Sequence, residues 1–224
     1  MQSRPAAERR EDLVALYREA SGCVRCPLHQ GRNRVVFGNG NADADLMFVG
    51  EGPGQQEDIQ GLPFVGRAGK LLDQLLEEIG LSRREVFVTN VVRCRPPGNR
   101  DPQPEEIAAC RSYTDRQIAL IEPRLICTLG KFAMQVLTRT NRGITAVHGK
   151  PEVHELGGRT MRVYPLFHPA AALRSTKTLE DLRDAFARIP ALLDEPPPLP
   201  IGAVAPPALA TVPEPDPPQM DLFG

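Results

Sequence analysis

No run in this 224-residue chain approaches the roughly 18 consecutive apolar residues that a membrane-spanning helix needs. Its N-terminus, MQSRPAAERREDL, is charged and lacks the apolar core of a secretory signal. These absences make the cytosol the expected location and leave no membrane partner. Charge of one sign is missing too. The formal net charge is −1, so bulk electrostatics announces no nucleic-acid binder. Local charge is less even. Arg93, Arg95 and Arg100 surround a Pro-Pro turn, and Arg67, Lys70 and Arg174 lie near other polar segments. A neutral protein can still offer phosphates such a basic face. Cysteine is sparse, with five in the chain. In a reducing compartment these are poorly explained as disulfides, which leaves metal ligands, a reactive thiol or small buried apolar residues.

What is present reads as one α/β domain, residues 1–194, followed by a tail. Apolar runs at 45–50, 86–92, 124–130 and 161–167 read as strands. Helices are expected at 6–21, 69–79, 105–121, 131–138 and 179–193, with Pro190 disturbing the last turn. A long loop is expected between Glu51 and Arg67. Strands alternating with amphipathic helices imply a three-layer α/β/α fold around a central, mainly parallel four-stranded sheet. The polar segments 50–58, 90–95 and 168–174 each follow a strand, where ligands bind such sheets. After Asp194 the proline-rich composition suits a flexible linker, 195–218. The terminal stretch 219–224, QMDLFG, then supplies apolar anchors.

Cys23 and Cys26 form a CxxC pair, and Cys94 and Cys110 lie far downstream. Four thiolates from remote segments suit one metal centre, and their spacing leaves zinc and iron–sulfur chemistry both open. Cys127, inside the apolar run LICTLG, is expected in the core.

The segments GEGPGQQED (50–58), GLPFVGRAGKLL (61–72), VTNVVRCRPPGNRDP (88–102) and HPAAALR (168–174), in this order and spacing, resemble the family 4 uracil-DNA glycosylases, the iron–sulfur branch of that superfamily. The resemblance covers roughly residues 20–190. It implies a uracil-DNA glycosylase-like fold and a structural [4Fe–4S] cluster held by Cys23, Cys26, Cys94 and Cys110. It also implies hydrolysis of the N-glycosidic bond of flipped-out deoxyuridine, the start of base-excision repair. Gly52 stands where many family members carry alanine and where another branch carries a water-orienting aspartate. No KRRIH-type segment of the covalent uracil binders follows Asn90, which argues for turnover. From the residues alone, a zinc domain or a nucleic-acid binder without chemistry remains open.

On this resemblance Phe64 is expected to be a flat platform for the base. Asn90 would read its edge, since an amide both donates and accepts. His168 would donate to uracil O2, and Glu51 would orient water or offset charge on the sugar. Glu57 and Gly52 complete the expected base pocket. Leu173 is the expected wedge that supports the flipped state, with Arg174 near a phosphate. QMDLF resembles the peptide by which bacterial repair proteins bind the DNA polymerase sliding clamp, with Gln219, Leu222 and Phe223 as anchors. The expected partners are therefore uracil-containing DNA and the clamp, with the chain acting as a monomer.

Overall fold

The computed structural model describes residues 4–199. Most of the expected linker, and all of the expected clamp peptide with Gln219, Leu222 and Phe223, lie outside the described residues.

The strands are β1 (Asn39–Gly40), β2 (Leu46–Gly50), β3 (Phe87–Asn90), β4 (Leu125–Leu129), β5 (Glu152–Leu156) and β6 (Arg159–Leu166). They form one six-stranded sheet in the order β1-β3-β2-β4-β6-β5. The central strands β3, β2, β4 and β6 run parallel. The edge strands β1 and β5 are antiparallel. The expected four-stranded sheet is therefore the centre of a larger, mixed one. Edge β5 is EVHEL, mostly polar, so it lacks the apolar run of a buried strand. It turns into β6 through Gly157 and Gly158, both at positive φ, a two-residue hairpin that glycines adopt without strain.

The helices are α1 (Ala6–Ser21), α2 (Gln55–Gln60), α3 (Arg67–Glu78), α4 (Pro104–Ile121), α5 (Lys131–Thr138), α6 (Ile144–Val147), α7 (Pro169–Ala172), α8 (Thr176–Ala187) and α9 (Ile189–Asp194). Side-chain alternation along β2 divides the core. Met47 and Val49 face α1, α4 and α5. Leu46 and Phe48 face α3, α8 and α9, with Phe48 stacked on Phe186 at 5.7 Å. Cys127 is wholly buried in this second layer, as expected. The expected helix 179–193 is broken into α8 and α9, because Pro190 in the first turn of α9 cannot continue the earlier hydrogen-bond ladder. The expected loop 51–67 contains α2, hidden in the sequence by flanking glycines and proline.

Because the central strands are parallel, their C-terminal ends share one sheet edge. Gly50, Asn90 and Leu129 end there, and the chain runs on past Leu166 of β6 to His168.

Candidate active site and cysteine cavity

A cleft of about 650 Å³ opens at that edge, lined by Glu51, Gly52, Glu57, Phe64, Asn90 and His168, with Arg174 on its wall. All three expected strand-end segments meet here. Arg100 and Asp101, from the Pro-Pro loop after β3, line the cleft as well, and nothing in the sequence pattern marks Asp101 for that place.

Gly50 makes the floor possible. A Cβ there would lie 2.5 Å from Asn90 Oδ1 and 2.6 Å from Phe64 Cζ. Glycine thus lets a polar and an aromatic side chain close over the end of β2. Phe64 sits at φ 55°, a left-handed conformation that costs a bulky residue energy and must be held from outside. Two clasps hold it. The Val65 and Gly66 amides both donate to Glu57 Oε1 at 3.0 Å. Arg83 donates to the Phe64 carbonyl at 2.8 Å. Gly69 lets helix α3 start against that same carbonyl, since a Cβ would lie 1.7 Å from it. Part of the Glu57 carboxylate is therefore committed to building the platform. Its neighbour Asp58 is buried and accepts from the Asn33 amide at 2.9 Å, away from the cleft. Gly52 also has a packing role, because a Cβ there would press on Val92 Cγ2 at 2.8 Å.

His168 caps α7. The Ala170 amide donates to its Nδ1 at 3.1 Å, so that nitrogen is an acceptor. Burial pushes the His168 pKa down to about 4. At neutral pH the ring is therefore uncharged, and its one proton sits on Nε2. Its ring stacks on Phe64 with centroids 5.7 Å apart. Glu51 is half-buried. Desolvation first, and the charge of Asp101 second, raise its pKa above the ordinary carboxylate value. Leu173, at the C-terminal end of α7, is 47% exposed, an apolar tip beside the cleft.

A second, enclosed cavity is lined by Cys23, Cys26, Cys94 and Cys110, together with Arg25, Arg32, Arg93, His29 and Tyr113. Cys127 is not among its lining residues. Among the described residues, no group of three or more His, Cys, Asp or Glu closes up as the ligands of a single metal ion would. Arg32 donates to Cys94 Sγ at 3.5 Å and to the Cys23 carbonyl at 2.5 Å, binding the two halves of the cavity together.

The expected basic face is only partly available. Arg93 is buried, with Nη1 donating to the carbonyls of Asn90 (2.6 Å) and Val91 (2.9 Å) and to Thr114 Oγ1 (2.8 Å). Its Nη2 donates to Gln117 Oε1. Arg100 is engaged by both carboxylate oxygens of Glu106 at 2.9 and 2.7 Å. A buried arginine gives no sequence signal beyond its place at the end of an apolar run.

Residues 37–189 match the family model for the uracil DNA glycosylase superfamily. A type-4 uracil-DNA glycosylase of Thermotoga maritima is 46% identical over 184 residues, covering 79% of this chain and 94% of the relative. One from Sulfurisphaera tokodaii is 45% identical, covering 80% and 84%. A type-5 uracil-DNA glycosylase of Thermus thermophilus is 36% identical over a shorter stretch, 46% of this chain and 54% of the relative. With the cleft at the parallel strand ends and this identity along most of its length, the chain belongs to the type-4 uracil-DNA glycosylases.

Proposed function

We propose that the chain is a monofunctional uracil-DNA glycosylase that hydrolyses the C1′–N1 bond of a flipped-out deoxyuridine, releasing uracil and leaving an abasic site. The observation that carries this is the set Glu51, Phe64, Asn90 and His168 around one cleft, with His168 neutral and its proton on Nε2. Uracil stacks on Phe64. The Asn90 amide donates to O4 and accepts from N3–H, a pattern cytosine reverses. As the bond breaks, its electron pair moves onto the base and negative charge grows at O2. The His168 Nε2–H donor meets that charge and is most useful in the transition state. Glu51, as a carboxylate, offsets positive charge at the sugar and orients the water. Water oxygen bonds to C1′ and gives up a proton, and the uracil anion is protonated on release. Leu173 fills the gap in the stack, and Arg174 meets a phosphate. Incubation with a uracil-containing oligonucleotide, followed by alkaline cleavage, should give a strand break at the uracil. An intact strand at high enzyme concentration would leave only nucleic-acid binding.

Cys23, Cys26, Cys94 and Cys110 would hold one [4Fe–4S] cluster. What supports this is that four cysteines from remote segments line one cavity. Arginines on the same walls suit the cluster's negative charge. When bound, the cluster supplies a structural crosslink between the N-terminal segment, the end of β3 and α4. The terminal QMDLF would recruit the enzyme to a bacterial sliding clamp, with residues 195–218 as tether and Gln219, Leu222 and Phe223 as anchors. Tethering raises local concentration without changing pocket chemistry. A titration with purified clamp should show binding by the full chain and none by a chain ending at Pro218.

A further inference from the structure

Arg93 stands between the two cavities. Its guanidinium holds the Asn90 and Val91 carbonyls on one side. Thr114 and Gln117 of α4 fix it from another. Gln117 is itself held, donating to the Phe37 carbonyl at 2.8 Å. Arg93 also lines the cysteine cavity, and its Nε has no acceptor among the described residues. A buried donor left without an acceptor is costly, and a charged one more so.

We propose that Arg93 is a positioning residue that couples the cysteine-held group to base reading: Nε donates to a sulfur of that group while Nη1 fixes the peptide that aims Asn90. This rests on the cluster assignment above. The group then does more than hold chain segments together, because its presence sets the guanidinium plane and so the end of β3. Arg93 touches neither the base nor the sugar, and its effect reaches uracil only through Asn90.

The test uses full-length protein purified anaerobically, with Arg93→Lys and Thr114→Val as variants. Three quantities are read: iron content, the reduction potential of the centre, and binding of oligonucleotides with and without a non-cleavable 2′-fluorinated deoxyuridine. Lysine keeps the charge but cannot span all the partners. Arg93→Lys should retain iron, move the potential to more negative values by losing a donor to sulfur, and weaken uracil-selective binding roughly tenfold. Binding to the undamaged oligonucleotide should stay unchanged. Thr114→Val should keep the potential and lose uracil selectivity by a few-fold. An iron-loaded Arg93→Lys protein with wild-type potential, or with wild-type selectivity, overturns the coupling and leaves the cluster assignment standing. Wild-type protein without iron overturns both. If Arg93→Lys does not fold, unchanged selectivity in Thr114→Val overturns the coupling, and reduced selectivity at unchanged potential supports it.

Discussion

The cleft and the cysteine cavity are fed by the same short stretch after β3, yet one wall mixes charges of both signs and the other carries only cations. Glu51, Glu57 and Asp101 line the open cleft beside Arg100 and Arg174, whereas the enclosed cavity carries Arg25, Arg32 and Arg93 and no carboxylate. An open wall with carboxylates and a neutral imidazole suits a ligand that enters, reacts and leaves. A sealed wall of cations suits a negative group that stays. Asn90 and Cys94 lie four residues apart, so one short segment borders both cavities.

Substitutions in one region should spare the other. The largest effect is expected from Asn90→Asp, which reverses part of the donor and acceptor pattern at nearly constant size. Uracil excision should fall by about 10⁴-fold in kcat/KM, with iron content unchanged. His168→Ala should follow, with a single-turnover rate lowered by about 10²–10³ and DNA affinity little altered. Equal losses of rate and affinity would show that His168 only binds. Cys94→Ser should act in the reverse direction, removing iron and lowering Tm, while Cys127→Ser leaves iron in place. Gly50→Ala should fold but cleave poorly, since its Cβ displaces both Asn90 and Phe64.

The smallest effect expected is in the pH profile. An acid limb set by the Glu51 carboxylate should lie above the ordinary carboxylate range and disappear in Glu51→Gln. A limb at the usual histidine value, near 6.5, would contradict the buried neutral His168. Stability carries a matching sign. With the folded His168 pKa depressed to about 4, its contribution is complete above the unfolded value of 6.5 and is lost as pH falls toward 4. Thermal melts of wild type and His168→Ala across that window should converge at the acid end.

The central strands are legible because LMFVG and LICTL are short, mainly apolar runs, the mark of strands buried on both faces. Three polar residues in five hide β5, and β1 has only Asn39 and Gly40 to show. The cleft residues were legible as separated polar segments after strands, and their resemblance to one family joined them. Three features were not. Glu57 splits its role, because a backbone clasp depends on where Val65 and Gly66 lie. Asp101 reaches the cleft through the fold of the Pro-Pro loop. Arg93 reads as surface in any charge pattern, since nothing in a linear chain reveals that Asn90, Val91, Thr114 and Gln117 surround it.

The amide that fixes His168 has a consequence for ionic strength. A donor without formal charge interacts with a developing anion at hydrogen-bond range and is hardly screened by mobile ions. Phosphate contacts such as that proposed for Arg174 release counterions and weaken steeply with salt. Added salt should therefore slow encounter and loosen the complex while leaving the rate of bond breaking in the bound state almost flat. The enzyme's salt sensitivity would then belong to finding DNA, and its catalytic step would run alike at low and high ionic strength.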